Sequence, residues 1–202
     1  MDYIKLLENC TLCMRKCNVN RNKGIKGVCN SNNSIKIARA ALHFWEEPCV
    51  SGKNGSGTVF FSNCNLKCVF CQNYKISSEG FGTEITLERL AEIFLELQDK
   101  GANNINLVTP THFVPQIIEA LKIAKNNGLN LPIIYNSNGY ENVETLRDLR
   151  GYVDVYLPDL KYYADELAIK YSKAPNYFTT HCFTWQLYTA KLRLIVASYR
   201  EY

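Results

Sequence analysis

Between residues 58 and 172, short apolar runs with β-type composition alternate with longer segments of helical period. This order restricts the fold more than any other feature of the chain. Strands are expected at 58–62, 104–109, 131–136 and 153–158, and helices at 86–100, 114–127, 142–149 and 164–172. In the first helix Leu87, Leu90, Ile93, Phe94 and Leu97 fall on one face, Thr86 suits the N-cap and Gly101 ends it. Strand–helix–strand order implies parallel strands joined by crossover helices, either curled into a barrel or wound as an open sheet. In both arrangements the chemistry belongs at the C-terminal ends of the strands. Polar groups fall at four such ends: Asn63 with Cys64, Thr109 to His112, Asn136 to Gly139, and Asp159 with Lys161.

The first of these ends opens the octapeptide at 64–71, in which Cys64, Cys68 and Cys71 stand at C-x3-C-x2-C with Phe70 just before the last. Soft thiolates select iron–sulfur clusters, zinc or copper(I). A [4Fe–4S] cube normally takes four cysteines, so three leave one iron open to another ligand. A structural zinc would want a fourth ligand nearby, and Gln72, Asn73 and Tyr74 offer none.

The octapeptide resembles the cluster loop of the radical S-adenosylmethionine (SAM) enzymes. The flanking Trp45-Glu46-Glu47-Pro48, Gly55 to Thr58 and Cys71-Gln72-Asn73 resemble the branch described as pyruvate formate-lyase activating enzyme-like. So do Val108 to His112 and Tyr156 to Lys161. The resemblance implies a partial (β/α) barrel in which Cys64, Cys68 and Cys71 hold a [4Fe–4S] cluster and SAM fills the open iron. It implies reductive cleavage of SAM to a 5′-deoxyadenosyl radical that abstracts hydrogen from a partner protein, as a glycyl-radical activase does, or from another substrate. Residue by residue, Phe70 would lie against the adenine, and Asp159 and Lys161 would meet the methionine end. Asn136 and Ser137 stand where relatives have an Asp-Thr pair, and Thr109 where a Gly-Gly-Glu-Pro run receives the SAM amino group. Asn for Asp removes a charge, and the Glu is missing here. The implied partners are a low-potential electron donor of flavodoxin or ferredoxin type and a glycyl-radical enzyme or other protein substrate.

Ahead of this core lie Cys10, Cys13, Cys17 and Cys29, four thiols within twenty residues. They can close a tetrahedral site unaided, and zinc and a second iron–sulfur cluster both suit them. His43 and Cys49 stand isolated and read as packing residues. The chain divides into a Cys-rich knuckle at 1–33, a linker at 34–56 containing a strand near 35–40, the core at 57–178, and an atypical tail at 179–202. About four βα units are countable where the family barrel has six, so a shortened barrel is expected. A shifted reading frame in the tail, or completion by a partner, would account for that.

Composition sets the remaining limits. Nine cysteines is an odd count, and with no apolar leader segment at the N-terminus a cytoplasmic protein using thiols for metals is expected. No apolar run is long enough for a membrane span. Residues 1–40 carry eight Lys/Arg against two Asp/Glu, and the rest fifteen against seventeen, giving the net +4. The body is therefore close to neutral, no nucleic-acid partner is expected, and the basic N-terminal segment reads as solvated surface. The alternative function is a non-catalytic zinc or iron–sulfur module contacting protein or nucleic acid.

Overall fold

The computed structural model describes residues 3–182 and 184. Its centre is a six-stranded sheet of β1 (Ile35–His43), β2 (Ser56–Phe61), β3 (Thr83–Ile85), β4 (Ile105–Val108), β5 (Ile133–Ser137) and β6 (Val155–Pro158). The spatial order is β3-β1-β2-β4-β5-β6. Strands β2, β4, β5 and β6 are parallel, while β1 pairs antiparallel with both β2 and β3. The four expected parallel strands are all present, at nearly the expected limits. The stretch expected to link knuckle and core instead adds β1 to the sheet itself. Strand β3, three residues long, had no periodicity by which to be found.

The helices are α1 (Pro48–Ser51), α2 (Tyr74–Ser77), α3 (Leu87–Asp99), α4 (Val114–Asn126), α5 (Val143–Asp148) and α6 (Asp165–Ser172). Thr86 caps α3 by accepting from the Arg89 amide at 3.1 Å. Pro115 occupies the first turn of α4, where its missing N–H costs nothing. Leu90, Phe94 and Leu97 of α3 and Ile117, Ile118 and Leu121 of α4 pack on one face of the sheet, against Val59, Leu107 and Tyr135. Burying side chains of this size contributes roughly 1.5–3 kcal/mol each.

Register then decides what the strands' other face does. Val59, Leu107, Tyr135 and Tyr156 pair across the sheet in one row. The next row is Phe60, Val108, Asn136 and Leu157, and side chains alternate between faces. The parallel strands thus end level with one another, and the four polar strand ends share one rim.

A second apolar cluster holds that rim together: Leu66, Tyr140, Tyr162, Ala168, Ala174 and Tyr177. Tyr177 is completely buried and its hydroxyl shares its one proton between the carbonyls of Asn138 (2.7 Å) and Asp159 (2.8 Å). Backbone 177–182 is helical. The start of the expected atypical tail is therefore regular structure, with the Asp165 carboxylate accepting from the Phe178 amide and the Thr179 hydroxyl, both at 2.7 Å. Residue 183 and residues 185–202 of that tail lie outside the described residues. Among the described residues, no helix is long and apolar enough to cross a membrane.

Candidate functional site

Asn63 turns the chain out of β2 with φ 72°, a left-handed conformation that Asn tolerates. This sends residues 64–71 across the rim. The loop backbone is tied to the end of α6: Lys67 N–H donates to the Ser172 carbonyl (3.2 Å) and Val69 N–H to that of Tyr171 (2.9 Å). Strand-end loops complete the surroundings, so that Cys64, Cys68, Cys71, Phe70, Thr109, Asn136, Ser137, Asp159 and Lys161 all line a single cavity of about 390 Å³. That volume is within the ~300–1,000 Å³ typical of small-molecule sites.

Each thiol in the cavity has a side-chain partner from another segment. Asn138 Nδ2 donates to Cys64 Sγ (3.3 Å), Ser172 Oγ to Cys68 Sγ (2.8 Å), and Cys71 Sγ lies 3.1 Å from Ser77 Oγ. The Leu66 amide also donates to Cys64 Sγ (3.4 Å). Burial pushes the Cys64 thiol up to about 11, with Cys68 and Cys71 adding to the shift and the Leu66 and Asn138 donors opposing it. Such a thiol ionises when a cation compensates the charge.

Asp159 and Lys161 form an ion pair, Nζ to Oδ2 at 2.7 Å, at the end of β6. Burial acts to lower the Lys161 ammonium, but the Asp159 carboxylate and the neighbouring thiols outweigh it, and the net shift is upward. Lys161 therefore stays cationic beside the sulfurs. Phe70 is half-exposed and meets Tyr162 edge-on at 6.1 Å. Thr109 adopts φ 58°, an outlier for a β-branched residue. Its amide donates to the Asn136 carbonyl (2.9 Å), which fixes the strained turn where β4 ends.

Not every strand-end polar group faces the cavity. Thr111 points inward and donates to Glu141 Oε1 (2.6 Å). His112 is buried, with Nε2 2.8 Å from the Ser62 carbonyl, and burial lowers it to about 3, so it is neutral. His43 packs edge-on against Phe60 and Cys49 is exposed, both outside the cavity lining. Ser172, Ser77 and Glu141 carried no sequence signal, because each works through a partner distant along the chain or through its burial. Asn138 was signalled only as one of several polar residues at its strand end.

The other four cysteines also converge. Cys10, Cys13, Cys17 and Cys29 wall one small enclosed space together with Leu12, Arg21 and His112. Cys13 is pushed up to about 12, chiefly by burial; the Arg15 amide opposes this and the Cys29 thiol adds to it. Among the described residues, no three Cys, His, Asp or Glu side chains already stand gathered as for a single ion.

The strand ends of this α/β sheet thus bring three thiols and an ion pair to one ligand-sized cavity. The radical SAM superfamily model matches residues 58–187, and the chain belongs to that superfamily. An uncharacterised protein of Methanocaldococcus jannaschii is 36% identical over 182 residues, covering 86% of this chain and 51% of that protein. The pyruvate formate-lyase-activating enzyme of Clostridium pasteurianum is 27% identical over 126 residues, covering 58% of this chain and 50% of that enzyme. The chain thus spans about half the length of these curated relatives. Membership implies a [4Fe–4S] cluster and SAM, and the donor set fits both: three soft thiols for the cluster, and polar strand ends with room beside them for SAM.

Proposed function

We propose that Cys64, Cys68 and Cys71 hold a [4Fe–4S] cluster, and that Phe70, Thr109, Asn136, Ser137, Asp159 and Lys161 hold SAM beside it, in an activating-enzyme-like protein acting on a partner protein. The observation that carries this reading is that these nine residues, from four strand ends, line one cavity. Bound there, cluster and SAM supply one-electron cleavage of the sulfonium to methionine and a 5′-deoxyadenosyl radical. The chain's own residues position and shield them. Lys161 presents a cation for a carboxylate, Asp159 an acceptor for an ammonium, and Thr109 a neutral acceptor. Asn136 in place of a carboxylate leaves the floor of the site less negative. Val69 and Phe70 carry the loop to the surface, which gives a flavodoxin- or ferredoxin-type donor access to the cluster.

The test is anaerobic reconstitution with iron and sulfide, then EPR of the reduced protein with and without SAM. A [4Fe–4S] signal that changes on adding SAM supports the reading; zinc at 64–71 with no such signal sinks it. The hydrogen bond from Ser172 gives a finer prediction. Hydrogen bonds to cluster sulfurs favour the more negative reduced state and so raise the potential. Ser172→Ala is expected to lower the cluster's midpoint potential in an EPR-monitored titration, read on the fraction of chains that retain the cluster. An unmoved potential would show that the Ser172–Cys68 contact does not tune the cluster.

A further inference from the structure

We propose that Cys10, Cys13, Cys17 and Cys29 bind a single structural zinc ion, in a closed site separate from the SAM cavity. The inference stands independently of the radical SAM reading. Four thiolates complete a tetrahedron and leave no position open, which is the pattern of structural zinc. The space between them measures about 10 Å³, against about 390 Å³ at the cluster loop. A space of that size admits about one atom-sized occupant.

Its walls resist enlargement. Arg21 is completely buried beside it, donating to the carbonyls of His112 (2.5 Å) and Asn32 (3.0 and 2.6 Å) and lying over the Phe113 ring. An iron–sulfur cube would have to displace that network; one ion would not. Donors and charge also suit a thiolate centre. Val28 N–H donates to Cys17 Sγ (3.4 Å), and Arg21 Nη1 lies 4.0 Å from Cys10 Sγ. Four thiolates on Zn²⁺ carry a net charge of about −2, which Arg21 and the neighbouring Arg15 and Lys16 offset. Gly27 comes so close to Cys17 that a Cβ there would sit 2.8 Å from its sulfur. The sulfurs are not yet gathered on one point; ion binding completes their convergence, the usual coupling of metal binding to local folding.

The knuckle is also joined to the site. Arg15 Nε donates to the Asn65 carbonyl (2.8 Å) inside the cluster loop, Asn142 Nδ2 donates to the Thr11 carbonyl (2.7 Å), and Cys13 pairs with Glu141 in an isolated β-bridge. The ion would therefore stiffen the support of the cluster loop without touching the cluster.

The test is metal analysis of the full chain after dialysis against a mild chelator. Wild type and the Cys64→Ala/Cys68→Ala/Cys71→Ala variant should each retain about one zinc per chain, and Cys13→Ser/Cys17→Ser should retain none. If that last variant fails to fold, zinc-edge X-ray absorption of wild type decides, with four sulfur neighbours at about 2.3 Å expected. Wild type without zinc, zinc bound by nitrogen or oxygen, or iron and sulfide in the triple variant would each overturn the proposal.

Discussion

Cys68→Ala is expected to reduce 5′-deoxyadenosine formation to the level of protein-free controls under reducing, anaerobic conditions with SAM. Removing only a hydrogen-bonded neighbour of a metal ligand typically costs ~10–100-fold in metal affinity or activity, and losing a ligand costs more. Two thiols remain on the loop, Cys64 and Cys71, and among the residues lining the cavity no other cysteine and no histidine replaces the third. Ser172 would lose its sulfur partner but keep that with the Tyr162 hydroxyl at 2.5 Å, so the fold around the loop should persist. Cys49→Ala is the control, since Cys49 is exposed and lies outside the cavity lining. Iron content, circular dichroism and product yield measured on all three proteins separate loss of the cluster from loss of fold. Equal yields from wild type and Cys68→Ala would show that this loop does not hold the reducing cluster.

The residues that line the candidate cavity are readable in the sequence where chemistry and local periodicity coincide. Cys64, Cys68 and Cys71 advertise themselves by residue type and spacing. Asp159 and Lys161 do so by following an apolar run. The parallel strands were legible because each is a short apolar run bounded by turn residues. What could not be read is what acts at long sequence separation. Ser172 meets Cys68 across 104 residues, and Arg15 meets Asn65 across 50. Neither contact leaves a local pattern. Strand β1 was visible as an alternating segment, but its membership of the sheet depends on antiparallel pairing with β2, which periodicity does not specify. The buried face of Thr111 and His112 was also hidden. Their polarity suggested the cavity, yet Glu141 and the Ser62 carbonyl draw them inward. A polar residue at a strand end satisfies the sequence pattern equally well as ligand or as support.

Glu141 makes that support measurable. Its carboxyl is completely buried, accepting from the Thr111 hydroxyl (2.6 Å) and the Tyr135 hydroxyl (3.1 Å), with no cation among the causes of its shift. Burial raises it from 4.5 to about 7, with hydrogen bonds from Thr111, Tyr135 and Ser137 opposing the rise. The unfolded chain releases this proton near pH 4.5 and the folded chain near pH 7. Between those values the folded state holds more protons, so this group's contribution to stability falls as pH rises, by roughly 3 kcal/mol in total. His112 acts oppositely. Burial lowers it from 6.5 to about 3, so its contribution is present above pH 6.5 and is lost as pH falls towards 3. The two slopes oppose each other over the shared range, and wild type should show a shallow pH profile there. Glu141→Gln copies the protonated acid, and its amide can donate to hydroxyls that rotate to accept. The variant should match wild type near pH 4.5, exceed it above pH 7 by up to roughly 6–12 °C in Tm, and expose the rising slope that belongs to His112. Unfolding both proteins by heat or urea across this range checks the claim. Parallel profiles for the two would mean that Glu141 is ionised in the folded protein, held so by a cation or by water reaching the site.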